Sequence, residues 1–153
     1  METRVGMANI IQNRKAHFNY ELKDKYEAGL ELFGHEVKSL RAGQGNLLGA
    51  HVIIRGGEAY IVGMDIPPYQ PKNLRDEYDS MRTRRLLLKK SEIAELAKAG
   101  DTKGLTIVPV VLYSKGPRLK LEIAVARGKK EYDKRESIKK RDVEREEGRT
   151  LKN

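Results

Sequence analysis

The stretch LTIVPVVLYSKGPRLKLEIAVARG, Leu105 to Gly128, decides the fold class. It contains two runs rich in β-branched and large apolar residues, Leu105 to Tyr113 and Leu119 to Ala126, separated by the turn-forming tetrapeptide SKGP. This pattern predicts a β-hairpin. Because Pro109 lacks a backbone N–H, we expect either an edge position or a β-bulge at that point of the first strand.

A second hairpin and a further strand are predicted upstream. The stretch HVIIRGGEAYIVGMDIPP has two β-branched runs around a Gly-Gly dipeptide, which suits the positive φ angles of a tight turn. Between Asn19 and Phe33 apolar residues recur at every second position, as in a strand with one buried face, with a bend at Asp24. These strands favour an antiparallel barrel or sandwich over a layered parallel sheet.

Two short helices and a long loop complete the local predictions. In FGHEVKSLRAG, Val37 and Leu40 are spaced as on one side of a helix that Gly43 ends, which leaves the polar residues mostly off that side. LLLKKSEIAELAKAGDTKG predicts a helix that begins near Ser91. PPYQPKNLRDEYDSMRTRR, rich in proline and charge, predicts a long surface loop.

Length and charge limit the class of protein. At 153 residues the chain is expected to form one domain with room for a tail. It has 31 Lys and Arg against 22 Asp and Glu, a formal net charge of +9, which favours a polyanionic partner such as RNA, DNA or an acidic membrane. It has no cysteine, no signal peptide and no run approaching the roughly 18 apolar residues of a membrane span. We therefore predict a cytoplasmic protein.

The sequence offers little catalytic chemistry. It has no glycine-rich phosphate loop and no serine elbow, and its histidines have no metal-ligand spacing. Asp76, Glu77 and Asp79 in the long loop could hold magnesium for nuclease chemistry, but a mobile loop is a poor place to preorganise a metal, and a solvated loop is the alternative. We predict a binding protein that is not an enzyme and uses no cofactor, metal or small-molecule substrate.

The remaining features are those of an RNA-binding protein: a strand-rich core, scattered basic residues and tyrosines able to stack on bases. Two carboxylates, Glu27 and Glu36, are out of place on such a surface, because each would repel phosphate. They either pair with Lys38 or Arg41, or accept hydrogen bonds from base amino groups or ribose hydroxyls. The basic candidates are Arg14, Lys15, Lys38, Arg41, Arg82, Arg84, Arg85, Lys129 and Lys130.

The composition changes after Arg127. The segment from there to Asn153 has too few large apolar residues to fold alone. As an α-helix it would place Lys134, Arg141, Arg145 and Arg149 on one side, so we expect a segment that is disordered when free and becomes helical against phosphates. The alternative is a solvated charged tail that only aids solubility.

Several motifs, taken in order, give a resemblance to a known family. They are YEAGLEL at Tyr26, GHEVKSLRAG at Gly34, RTRRLLLKK at Arg82 and ARGKKEYDKRESIKKRD at Ala126. Together they resemble the tmRNA-binding small protein B family, the SsrA-binding proteins, from Asn13 to the C-terminus. The resemblance implies a closed antiparallel barrel of the oligonucleotide-binding type, with about six strands and about three short peripheral helices.

The resemblance also implies a function, domains and partners. The expected function is to bind the tRNA-like domain of tmRNA and deliver it to stalled ribosomes for trans-translation, with no catalytic step. The expected domains are a flexible N-terminus (1–12), an RNA-binding barrel (13–127) and a basic tail (128–153) that is helical on the ribosome and reads the empty mRNA channel near the decoding centre of the small subunit. The chain is expected to be a monomer with no membrane partner. A general ribosome-associated RNA-binding barrel is the alternative.

Site residues follow from both lines of reasoning. By resemblance Asn13, Glu27 and Leu87 belong to the RNA-binding face. Two residues depart from the family pattern, since Phe18 stands where many relatives carry a histidine and Val143 where some carry a tryptophan. The predicted RNA-binding set is Asn13, Arg14, Lys15, Glu27, Glu36, Lys38, Ser39, Arg41, Leu87, Lys129 and Lys130. The predicted ribosome-binding set is Asp133, Lys134, Arg135, Ile138, Lys139, Lys140, Arg141, Arg145, Leu151 and Lys152.

Overall fold

The structure is a single antiparallel sheet with three short helices. The computed structural model describes residues 7–69 and 77–129. Its seven strands are hydrogen-bonded in the order β1-β6-β7-β2-β5-β4-β3, so the mainly β, antiparallel part of the prediction is confirmed. The elements, in chain order, are β1 (Met7–Gln12), α1 (Arg14–Asn19), β2 (Tyr20–Leu30), α2 (Gly34–Arg41), β3 (His51–Arg55), β4 (Glu58–Val62), β5 (Arg84–Leu87), α3 (Lys90–Asp101), β6 (Leu105–Lys115) and β7 (Arg118–Gly128).

The sheet is open, so the predicted closed barrel is wrong. Within the described residues the strand order ends at β1 on one side and at β3 on the other. Strand β3 lies beside β6, but β6 is already paired with β1 from Val111 to Lys115. Along the earlier part of β6 a groove of about 350 Å³, lined by β3, α3 and β6, lies where a closing ladder would run.

Both predicted hairpins are confirmed. Strands β6 and β7 pair from Leu105 opposite Arg127 to Lys115 opposite Arg118. The register shifts after Pro109, so this proline sits at a bulge rather than at an edge strand. Its free carbonyl accepts a hydrogen bond of 2.9 Å from Asn13 Nδ2, which brings α1 against the bulge.

Three elements differ from the sequence prediction. Residues 7–12, predicted to belong to a flexible N-terminus, form β1 and pair with β6. Helix α1 was not predicted, and β5 begins at Arg84, within the segment that was predicted to be a surface loop, and continues past its end. In each case the deciding contacts join residues far apart in the chain, which no local pattern reveals.

The core lies on one face of the sheet. It is built from inward-facing side chains of the strands and is covered by α2 through Leu40 and by α3 through Leu96. On the other face α1 contributes Ala16, which packs with Val108 and Ala126. None of the three helices in the described residues is long and apolar enough to cross a membrane. We call the face that carries α1 the outer face of the sheet.

A buried ion pair joins α2 to β5. The side chains of Glu36 and Arg84 are both 0% exposed, and the Arg84 Nη2 lies 2.7 Å from Glu36 Oε2. Arg84 also donates to the backbone oxygens of Met64 (2.6 Å), Ser80 (3.0 Å) and Arg82 (3.0 Å). Such a charge pair is stable inside a protein only when its remaining donors and acceptors are satisfied, as they are here.

The Glu36 carboxylate has further donors. Its oxygens accept hydrogen bonds from the backbone N–H of Phe33 (2.7 Å), from the Tyr78 hydroxyl (2.9 Å) and from Arg82 Nε (3.0 Å). Burial by itself would raise the pKa of this carboxyl. The hydrogen bonds and the adjacent positive charge outweigh burial and lower the pKa from 4.5 to about 2.

We expect replacement of Glu36 to destabilise the protein strongly. Glu36→Gln leaves Arg84 as an uncompensated buried charge, which typically costs about 3–5 kcal/mol. The exposed pair between Glu31 and Arg85 provides the control, because Glu31→Gln should cost at most about 1 kcal/mol. Urea unfolding of the two variants and the wild type at neutral pH measures the difference.

The same ion pair predicts how the stability of the protein changes at acid pH. Because the folded-state pKa of Glu36 lies below the unfolded value of 4.5, its carboxylate contributes fully to stability above pH 4.5, and this contribution is lost as the pH falls toward about 2. Glu36→Gln should therefore lose less stability than the wild type over that window. Equal losses in both proteins would contradict the assignment.

Candidate nucleic-acid interface

A groove of about 460 Å³ crosses the outer face of the sheet. Its walls come from three neighbouring strands, with Glu27 on β2, Leu87 on β5 and Lys120 on β7. In the ladders Gly29 lies opposite both Leu87 and Lys120, so it forms the floor between them. We call this set of four residues the strand groove.

The position between Leu87 and Lys120 is a glycine. A Cβ at Gly29 would lie 3.2 Å from the Leu87 Cβ, which is tighter than ordinary contact. Glycine in a strand interior often marks a place where another backbone or a ligand approaches closely. Leu87 stands over this gap and is 48% exposed. The strand groove therefore combines an apolar wall, a carboxylate and an ammonium group.

The Glu27 carboxylate is held in place by residues of β6. The hydroxyl of Tyr113 donates to Oε2, and Lys115 Nζ lies 3.3 Å from Oε1. The hydrogen bond from Tyr113 is the largest cause of a lowered pKa at Glu27, and burial opposes it. Lys115 and Lys120 lower it further. Glu27 is therefore an ionised, oriented acceptor beside two lysines.

The rim of the groove carries both signs of charge. Arg85 and Lys89 lie on one side, accompanied by the carboxylates of Glu58 and Glu92. Arg85 Nε bonds to Glu58 at 3.1 Å. Sequence reasoning missed Tyr113, Lys115 and Lys120 as site residues; the basic hairpin SKGPRLK was the available signal, because it is the turn of a predicted hairpin.

Helix α2 reaches this region through the β6–β7 turn. Arg41 Nη2 donates to the backbone oxygen of Pro117 at 2.6 Å, so the end of α2 is tied to the turn that carries Lys115. Lys38 and Arg41 are both exposed. The predicted basic residues of α2 thus lie next to the hairpin whose Lys115 holds Glu27.

A second group of predicted residues gathers at the other end of β2, around α1. Asn13 is buried at the start of α1, where its backbone N–H donates to Val110 O at 2.8 Å, while Arg14 and Lys15 are exposed. Lys129 lies beside these residues. Its backbone N–H donates to Asn19 O (2.8 Å), and its Nζ donates to the backbone oxygen of His17 (3.0 Å). A groove of about 280 Å³ beside α1 is lined by Asn13 and Lys15 among others.

Comparison with known proteins places this arrangement in a family. The family model described as "SmpB protein" matches residues 10–153. The chain belongs to the SmpB protein family. The resemblance drawn from the motifs is thereby confirmed.

Relatives of known name cover nearly the whole chain. Proteins named SsrA-binding protein are 53% identical in Oleidesulfovibrio alaskensis, over 95% of this chain and 94% of the relative; 50% identical in an Azoarcus species, over 94% and 97%; and 48% identical in Mesoplasma florum, over 97% and 99%. A solved structure described as "tmRNA-SmpB: a journey to the center of the bacterial ribosome" is 40% identical, with a TM-score of 0.67, over 81% of this chain and 87% of that one.

Two predicted contacts need correction within this SmpB chain. Glu36 and Ser39 are both 0% exposed, so neither presents a side chain to RNA. The Ser39 hydroxyl donates to the backbone oxygen of Pro67 at 2.7 Å. Pairing was one of the two interpretations of the carboxylates, but the partners of Glu36 are Arg82 and Arg84 rather than residues of its own helix.

Part of the predicted set lies outside the described residues. Lys130 follows the last described residue, and the ribosome-binding set from Asp133 to Lys152 lies beyond it. Asp76 of the proposed magnesium cluster also falls in the undescribed segment. Over residues 7–69 and 77–129, no group of three His, Asp or Glu side chains is placed to bind a metal ion.

We expect Tyr113→Phe to raise the pKa of Glu27. The substitution keeps the ring and removes the hydrogen bond that lowers this pKa most. Lys115→Met, which removes a smaller contribution, should raise it less. Titration of the Glu27 side-chain carboxyl by NMR measures both shifts, and a larger shift in Lys115→Met would contradict the assigned order of causes.

Proposed function

We propose that this chain binds the tRNA-like domain of tmRNA and delivers it to stalled ribosomes for trans-translation. The observation that carries this proposal is the family match over residues 10–153, because it spans both the described sheet and the basic C-terminal segment. Net charge of +9 supplies the sequence-independent attraction that RNA binding requires.

The strand groove is the proposed contact with the RNA. Folded RNA is recognised through shape and ribose hydroxyls, and a base edge that is exposed can donate an amino group. The ionised, oriented Glu27 accepts such hydrogen bonds, while Leu87 packs against a sugar or base and Lys120 neutralises a phosphate. Each of these groups lies on a strand rather than a loop, which fixes the geometry.

In this proposal the residues around α1 belong to the contact with the ribosome, the second partner. Tyr20 and Glu27 are seven residues apart on β2, so the α1 end and the strand groove are separated by about 20 Å. Lys129, the last described residue, is fixed at the α1 end by two hydrogen bonds. The basic tail after it is proposed to enter the empty mRNA channel near the decoding centre as a helix, drawn by phosphates.

The proposed role requires no chemical step by the protein. Binding and positioning of an aminoacylated RNA are its contribution, so we propose a binding protein that acts in the cytoplasm as a monomer. A general RNA-binding protein would bind ordinary tRNA as tightly as the tRNA-like domain of tmRNA. Competition between the tRNA-like domain of tmRNA and bulk tRNA for the full chain tests this, and equal affinities would contradict the proposal.

We expect Glu27→Ala to weaken the RNA complex by about tenfold or more without changing its salt dependence. The reason is that Glu27 contacts no phosphate, so no counterion release is lost. Lys120→Ala should instead lower the slope of log affinity against log salt by about one. Filter binding over a range of salt concentrations measures both.

Glu21→Ala is the matched control for Glu27→Ala. Glu21 is also an ion-paired glutamate of β2, bonded to Arg127, but it lies at the α1 end. Its removal should leave the affinity for the tRNA-like domain unchanged. Loss of affinity in Glu21→Ala equal to that in Glu27→Ala would remove the strand groove from the RNA contact.

We expect truncation after Lys129 to separate the two activities. The shortened chain retains every described strand and the contacts of Lys129 with α1, so its affinity for the tRNA-like domain should stay within about threefold of the full chain. Tagging of incomplete proteins on stalled ribosomes should be abolished, because the segment proposed to read the channel is gone. A large loss of affinity would contradict this division.

A further inference from the structure

An exposed phenylalanine lies at the end of β2, beyond the strand groove. The Phe33 side chain is 53% exposed, so its ring is accessible to a partner. The guanidinium carbon of Arg82 lies 4.0 Å from the centre of this ring. This is the distance of a cation–π contact, so the ring and the guanidinium form a two-layer stack.

Hydrogen bonds to one buried carboxylate hold the backbone of Phe33 and the guanidinium of Arg82 in place. The backbone N–H of Phe33 donates to the buried carboxylate of Glu36, and Arg82 Nε donates to the same carboxylate. Arg82 Nη2 bonds both to Glu36 and to the backbone oxygen of Glu31, the latter at 3.4 Å. The backbone of Phe33 and the guanidinium of Arg82 are therefore anchored to one buried group.

The stack continues the proposed RNA contact along the same strands. After Gly29 and Leu87 the chains remain paired, because the backbone N–H of Glu31 donates to Arg85 O at 3.0 Å. Phe33 follows two residues later, so it lies at most about 13 Å from Gly29. A nucleotide chain that leaves the strand groove along β2 would reach it within a few residues.

The chemistry of the stack favours a base over a phosphate. Two donor atoms of the Arg82 guanidinium, Nε and Nη2, already bond to oxygens of Glu36, whose single negative charge is shared with Arg84. What remains available is a flat apolar ring backed by a cation. Every nucleobase has a π face that stacks on such a surface, and proteins that bind single-stranded nucleic acid use aromatic rings in this way.

The neighbouring charges do not oppose this use. The exposed carboxylate of Glu31, two residues before Phe33, is paired with Arg85 at 3.4 Å. The His35 ring lies 5.8 Å from the Phe33 ring, tilted by 37°, and its other neighbour is the ring of Tyr78. The neighbours of Phe33 are thus an aromatic ring and the Arg82 guanidinium.

We propose that Phe33, backed by Arg82, is a stacking platform for one unpaired nucleobase of the RNA bound in the strand groove. The proposal rests on the proposed function, because it extends the same RNA contact. It adds aromatic stacking, which Glu27, Leu87 and Lys120 do not supply. Stacking of this kind recognises a base that is not paired within the folded RNA.

Two substitutions at Phe33 test the platform. Phe33→Leu keeps apolar surface but removes the ring, whereas Phe33→Tyr keeps the ring. With the full chain and a transcript of the tRNA-like domain of tmRNA, we expect Phe33→Leu to weaken binding on the order of tenfold and Phe33→Tyr to bind like the wild type. The salt slope should stay the same in both, since no phosphate contact changes.

A control and a folding check keep the outcome clear. Ile53 is an exposed aliphatic residue on the edge strand β3, and Ile53→Ala should not change the affinity. Thermal unfolding of each variant shows whether the fold is retained. A Phe33→Leu variant that binds like the wild type, or an equal loss in Ile53→Ala, overturns the platform alone. A wild-type chain that does not select this RNA overturns the proposed function and the platform with it.

Discussion

The buried pair of Glu36 and Arg84 is the constraint on which the arrangement of this protein depends. Two opposite charges inside a protein gain little stability over a well-packed apolar pair, because each must first lose its water. What such a pair adds is geometry, since Nε and Nη2 of Arg84 both donate to Glu36 Oε2, at 2.9 and 2.7 Å, and hydrogen bonds are directional. Here that orientation fixes α2 against β5. Everything presented by α2 and by the turn before it, including Phe33 and Arg41, takes its position from this contact.

A second consequence concerns β2, which connects the two proposed binding regions. One end of this strand adjoins α1 and the backbone of Lys129, and the other end carries Glu27 and Gly29 in the strand groove. Strand β2 pairs with β7 along most of its length. The distance between the proposed RNA contact and the origin of the tail is therefore set by a paired strand rather than by a linker. A rigid spacer of this kind suits a protein that must hold one partner while it probes another.

Short sequence patterns correctly predicted those features of the fold that depend on residues close together in the chain. The Gly56 and Gly57 turn and the bulge at Pro109 follow from backbone chemistry, and both were found as expected. The burial of Glu36 could not be predicted in the same way. Its partner Arg84 is 48 residues away, in a segment whose charge and proline content indicated a surface loop. A rule that buries apolar residues and exposes polar ones also places Ser39 outside. It does not take into account the hydrogen bond that the Ser39 hydroxyl donates to the backbone oxygen of Pro67. The closed barrel came from family resemblance, and the pairing of β1 with β6 overturned it.

The order of the strands also bears on how the molecule is made. Met7 pairs opposite Lys115, and Tyr20 opposite Gly128, so the first two strands find their partners more than a hundred residues later. Chains emerge from synthesis N-terminus first, and such distant pairings form late. Strand β1 and most of β2 pair only after β6 and β7 have been made, whereas Gly29 and Leu30 of β2 pair with β5. A nascent copy cut short before β7 would lack the strand that lies between β6 and β2, and its sheet would be divided. A protein proposed to act on unfinished translation thus acquires its own shape only when its translation is almost finished.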